Sequence, residues 1–205
     1  MSGDRPPEAT VDHDREVMWA PWDGPGSEHL RLAEREGGVV ADGLIIGVDG
    51  GRPCRVRYAV RGDADWRVRE VRVEVLGAGR PELVLRADGA GAWQTGDGAP
   101  LPALAGCLDV DLSVTPFTNT LPIRRLGLQP GATATLAMAY VALPALRVTA
   151  ERQRYTCLAA DPGGGRYRFE APDDGFTAEL PVDAAGLVLD YPGLFRRVWP
   201  VSSLR

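Results

Sequence analysis

The 205-residue chain carries a net charge of −5, with 44% apolar and 25% charged residues. That make-up suits an ordinary soluble protein, and its acidic balance argues against sequence-independent nucleic-acid binding. All 23 basic residues are arginine, so Schiff-base and lysine-nucleophile chemistry is excluded.

Residues 1–16 are polar, rich in Asp, Glu, Arg and Pro, and expected to form a disordered arm. They hold no apolar run of signal-peptide type, and no window approaches the ~20 apolar residues of a membrane span. Cys54, Cys107 and Cys157 lack the paired spacing of a zinc site and sit in apolar surroundings. They read as buried thiols of a reducing compartment, so the expected location is cytoplasmic.

Period two dominates from Val17 onward, and 17–205 is expected to form one β-roll domain. Cys54, Val56, Tyr58 and Val60 alternate with Arg55, Arg57 and Arg61. Trp66 and Val68 occupy even positions, whereas Val71, Val73 and Val75 occupy odd ones. An extra residue near Arg69–Glu70, a β-bulge, would restore one buried face and bend the strand. Leu83 and Leu85 then continue the pattern.

The block GCLDVDLSVTPFTNTLPIRRL at 106–126 opens as a strand and breaks at Pro116. It crosses a threonine-rich turn holding Asn119, then leaves through Pro122 into Arg124 and Arg125. Residues 132–143 are alanine-rich, but Thr133, Thr135, Tyr140 and Val141 favour a strand, ended by Pro144. Gly163 to Gly165 reads as a hairpin tip, with no helix to make it a phosphate-binding loop. Strand pairs follow at Tyr167/Phe169, at Phe176/Ala178/Leu180 and at Leu187/Leu189/Tyr191. A single helical turn is expected over 194–199.

Asp-Gly occurs six times, several times between apolar runs, where it favours tight hairpin turns. Short connections between strands predict an antiparallel meander and not βαβ units. The expected class is all-β: a curved antiparallel sheet forming a spiral β-roll or open barrel, with very little helix.

Chemistry concentrates in the central block. Asp109 and Asp111 share a strand face, with Cβ atoms about 7 Å apart. They form either a structural ion-pair network with arginines or the polar rim of a ligand site. The neighbourhood holds no histidine and no further acid of the kind a metal site needs, so no metal is assigned. His13 lies in the arm, and His29 has no nucleophile motif beside it, so no catalytic residue is assigned. No cofactor motif is present. Trp66 and Trp93 offer rings suited to sugar faces and amphipathic ligands.

Several blocks together resemble the bacterial family described as "putative glycolipid-binding". They are 106–126, QRYT at 153–156, FTAEL at 176–180 and GLVLDYPGLF at 186–195. EHLRL at 28–32, ADGLIIG at 41–47 and the D-x-x-W-R ending at 63–67 precede them in the expected order. The resemblance implies a rolled antiparallel sheet similar in shape to lipoprotein-carrier proteins, and implies no catalytic residues. It suggests a non-enzymatic protein binding an amphipathic small molecule or glycolipid on an apolar concave sheet. Asp109, Asp111, Asn119, Arg124, Arg125, Trp66, Trp93 and Tyr191 are the expected ligand residues. A protein-interaction module and a carboxylate-dependent hydrolase are the competing readings, and the subunit number stays open.

Overall fold

The computed structural model describes residues 13–77, 79 and 81–200. Seven strands run as an antiparallel meander: β1 (His13–Pro21), β2 (Ser27–Arg35), β3 (Gly38–Asp49), β4 (Arg52–Gly62), β5 (Val68–Val75), β6 (Glu82–Ala87) and β7 (Trp93–Thr95). The chain then builds a second sheet from β8 (Asp109–Leu112), β9 (Thr133–Ala142), β10 (Arg147–Asp161), β11 (Gly164–Ala171) and β12 (Phe176–Asp183). It returns through β13 (Asp190–Tyr191) and β14 (Phe195–Trp199) to pair with β1. The result is a nine-stranded sheet ordered β13-β14-β1-β2-β3-β4-β5-β6-β7 and a five-stranded sheet ordered β12-β11-β10-β9-β8. An isolated bridge pairs Val182 of β12 with Val188, just before β13, and neither sheet closes into a barrel.

The period-two reading accounts for the larger sheet. Leu30 and Leu32, Val39 and Ala41, then Val56, Tyr58 and Val60 all point into one core. The phase change after Val68 is a bulge. Glu70 pairs with Arg61 and Val68 with Gly62, which leaves Arg69 as the extra residue and keeps Val68, Val71 and Val73 inside. Gly50–Gly51, between the paired residues Asp49 and Arg52, is the two-residue loop of the β3–β4 hairpin, and both glycines adopt positive φ (53° and 77°), as the twist of adjacent strands requires. Residues 133–142 form a strand, as the threonine and tyrosine pattern predicted.

Three expectations need correction. The first strand begins earlier than predicted: residues 13–16 pair with β2, while 1–12 lie outside the described residues. Residues 195–199 form a strand, not a helical turn, because the edge of β1 offers them hydrogen-bond partners. The meander is also interrupted by one parallel pair, β8 beside β9, linked across a short helix α1 (Thr120–Leu126). Pro122 reads as a break in the sequence, yet it sits in the first turn of α1, where an N–H has no helical partner to lose. Gly127 ends the helix in the left-handed conformation, φ 53°, and its N–H donates to the Ile123 carbonyl.

Candidate functional site

Two neighbouring clefts share part of their lining. The first, about 380 Å³, opens between β1–β4 and the segments that follow β8 and β9. Trp19, Pro21, Ile45, Val56, Val114, Leu143 and Pro144 make its walls largely apolar. The second, about 510 Å³, lies on the five-stranded sheet and is capped by β13 and β14. Ser113 and Phe195 line both, so the clefts adjoin.

Glu28 lines the apolar cleft and is buried, only 3% exposed. It occupies an inward position of β2, in phase with Leu30 and Leu32. Its Oε1 accepts hydrogen bonds from the Tyr58 hydroxyl and from Thr115 Oγ1 (2.7 Å), while Oε2 has no partner among the described residues. Desolvation outweighs those two bonds and pushes the carboxyl up to about 7. Burial likewise drives the Tyr58 hydroxyl well above its ordinary range, so Tyr58 remains a donor.

The second cleft combines acids, amides and rings. Asp111 accepts from Thr118 Oγ1 (2.9 Å) and from Gln153 Nε2 (2.6 Å). The Tyr155 hydroxyl donates to Asn119 Oδ1 (2.9 Å) and to Gln153 Oε1 (3.2 Å), tying β10 to the turn before α1. Desolvation raises the carboxyls of Asp111 and Glu151 and the hydroxyl of Tyr140. The Tyr191 hydroxyl is raised above its ordinary range by burial, with Asp111 adding to it. Phe169, Phe176, Tyr191 and Phe195 form a chain of rings with neighbouring centroids 6.1–6.3 Å apart. A wall of rings beside fixed hydrogen-bonding groups can hold a polyhydroxylated group by stacking and by accepted hydrogen bonds.

The eight residues expected from the sequence do not converge on one place. Asp111, Asn119 and Tyr191 line the second cleft. Trp66, Arg124 and Arg125 line a separate depression of about 440 Å³ beside α1. There the Arg124 guanidinium lies 4.7 Å from the Trp66 ring and 3.0 Å from Glu34 Oε2. Trp66 is buried and takes a left-handed backbone, φ 64°, in a loop held by Asp63, whose Oδ1 accepts from the Asp65 and Arg67 N–H groups. Asp109 is fully buried and paired with Arg125, whose Nε and Nη2 approach to 3.0 and 2.6 Å. Burial raises the Asp109 carboxyl, and the Arg125 guanidinium opposes that shift. Trp93 is buried, with its indole N–H donated to the Cys107 carbonyl at 2.8 Å. Of the cysteines, Cys107 and Cys157 are buried, and Cys54 is half-buried at the apolar cleft.

Glu28, Tyr140, Glu151 and Gln153 escaped the sequence reading. Only Glu28 left a signal: an acid in the apolar phase of a strand. Among the described residues, no group of three or more His, Cys, Asp or Glu is placed to hold a metal ion. No helix among them is long and apolar enough to cross a membrane.

The architecture is that of an open, curved two-sheet β protein whose adjoining clefts differ in polarity. The family is specific: the model described as "Putative glycolipid-binding" matches residues 16–197, and the chain belongs to that family. A crystal structure of a DUF1089 family protein from Pseudomonas aeruginosa is 44% identical, with a TM-score of 0.77 over 86% of this chain and 95% of that one. No curated protein sequence matches the chain significantly.

Proposed function

We propose that the protein binds an amphipathic molecule of the glycolipid class without transforming it. The apolar tail occupies the cleft above Glu28, and the polar head occupies the cleft lined by Asp111, Asn119 and Tyr191. The observation that carries this reading is the junction itself: one apolar and one acidic, ring-lined cleft share Ser113 and Phe195. A ligand that bridges them buries its tail and satisfies its hydroxyls in one event. Asp111 and Gln153 accept from hydroxyls, and the Phe169–Phe176–Tyr191 rings supply the stacking surface. Asp109, Arg125 and Trp93 hold the scaffold in this account, because none of them lines either cleft and their polar atoms are engaged with one another or with backbone. Trp66 and Arg124 fix α1 against the larger sheet.

Titration calorimetry with octyl glucoside below its micellar concentration, beside glucose and octanoate, tests the proposal. Octyl glucoside is expected to bind at least about tenfold more tightly than either fragment, since it alone uses both clefts. Equal affinity for octyl glucoside and octanoate would remove the polar cleft from the account. No binding of octyl glucoside would remove the proposal.

A further inference from the structure

The wall of the apolar cleft holds a carboxyl with one oxygen bonded and one left over. Glu28 stands opposite Trp19 on β1 and opposite Ile45 on β3. Directly opposed residues of an antiparallel sheet send their side chains to the same face. Trp19 and Ile45 both wall the cleft, so the Glu28 side chain leaves its strand on the cleft side. Nearby donors all go to Oε1. Thr115 Oγ1 accepts from the Phe117 N–H at 3.0 Å, which leaves its own proton for Oε1 at 2.7 Å. The Tyr58 hydroxyl donates to the same oxygen. Oε2 is buried and has no partner among the described residues.

With two protons already directed at Oε1, the proton of the neutral carboxyl belongs on Oε2, where it is a donor in search of an acceptor. Buried polar atoms are ordinarily satisfied, and leaving one unpaired is costly. Charge narrows what can satisfy this one. The other titratable groups on the cleft wall are Asp23, Asp49 and Cys54, and no arginine or histidine lines it, so an anionic group would meet only acids. The influences on Glu28 itself are burial, Tyr58 and Thr115, and burial prevails, which keeps the carboxyl neutral up to about 7. A neutral carboxyl gives a buried ammonium no countercharge. What remains is a neutral acceptor.

We infer that the molecule in the apolar cleft carries a neutral oxygen on its apolar part, a carbonyl or a hydroxyl group, and that Glu28 Oε2 donates a hydrogen bond to it. The inference rests on the proposed binding function and deepens it, since it gives the tail a chemical requirement beyond its length. Glu28 then acts as a specificity residue. A plain alkyl chain covers Oε2 and leaves it unpaired, whereas an oxygen-bearing chain pairs it.

Ligand-observed NMR titration with 2-heptanone and with 1-heptene tests it through the ratio of the two affinities. Glu28→Leu should lower the preference for the ketone at least about tenfold, because its oxygen then enters an apolar wall unpaired. Glu28→Gln should keep the ratio within about twofold, since the amide places an N–H where the carboxyl carried its proton. In the wild-type protein the ratio should fall between about pH 6 and about pH 8, as Oε2 loses its proton, and in Glu28→Gln it should stay level. This pH comparison decides the matter even if Glu28→Leu does not fold. A ratio that a folded Glu28→Leu leaves unmoved, or one pH profile shared by wild type and Glu28→Gln, would overturn the inference. So would heptylamine binding more tightly than 2-heptanone, which would assign Oε2 to a cation. Octyl glucoside binding with an unmoved ketone ratio sinks this inference and spares the bridged clefts. The stated ratios without octyl glucoside binding do the reverse.

Discussion

The Tyr58 hydroxyl reaches the Glu28 carboxylate inside the core because residue 43, facing Tyr58 across the β3–β4 ladder, is a glycine. A Cβ at Gly43 would collide with the Tyr58 ring. The sequence pair Asp42–Gly43 looks like a turn, but it lies mid-strand, and its glycine makes room for an aromatic ring.

Gly43→Ala should therefore destabilise the fold by about 1–3 kcal/mol, the usual cost of overpacking. Urea denaturation measures it. A loss below about 0.5 kcal/mol would mean that Tyr58 can move aside at little cost, and that its bond to Glu28 matters little.

Glu28 makes stability depend on pH in an unusual direction. The folded protein holds this proton up to about 7, whereas an unperturbed glutamate releases it near 4.5. Between those values the native state binds more protons than the unfolded chain, so stability is greatest below the window and falls as pH rises through it. The loss attributable to Glu28 is about 3 kcal/mol. Glu28→Gln should remove it, so the wild-type protein should weaken relative to this variant between about pH 5 and about pH 8. Parallel pH profiles for the two proteins would contradict the assignment.

The Asp109–Arg125 pair is buried and bidentate. Asp109→Asn should cost about 3–5 kcal/mol, because it strands the Arg125 guanidinium. The double variant Asp109→Leu with Arg125→Met should recover much of that loss. If the double variant is as unstable as the single one, the pair contributes more than mutual neutralisation.

Gly47 offers a way to close the apolar cleft without breaking the fold. It lines the cleft on the inward phase of β3, and a Cβ there would meet nothing within 4 Å. Gly47→Phe should leave the urea midpoint near that of the wild type and lower octyl glucoside affinity at least about tenfold. Asp111→Asn should reduce the preference for octyl glucoside over octanoate while sparing octanoate itself. A Gly47→Phe protein that binds normally would place the tail elsewhere.

Much of the scaffold is legible in the sequence because burial imposes period two. Val56, Tyr58 and Val60, and even the bulge at Arg69, follow from phase alone. Residues 195–199 and α1 are not legible, since their form depends on partners distant in sequence: the β1 edge, and the slot between β8 and Gly186, where Thr120 Oγ1 donates to the Gly186 carbonyl. The same holds for the site. Asp109 and Asp111 look equivalent in sequence and do share a strand, yet one meets Arg125 and the other Gln153. Which neighbour each acid meets is decided by α1 and β10, and local pattern carries no trace of it. Glu28 differs from both, because an acid in the apolar phase of a strand is a mark that periodicity itself carries.

The central claim is that the joined clefts hold an amphiphile. Native mass spectrometry of protein isolated from its own host, followed by organic extraction, tests that most directly. One molecule of a lipid-tailed, hydroxyl-bearing compound per chain is the expected result, lost in Gly47→Phe. A mass equal to the bare chain, persisting after incubation with a bacterial lipid extract, would contradict it.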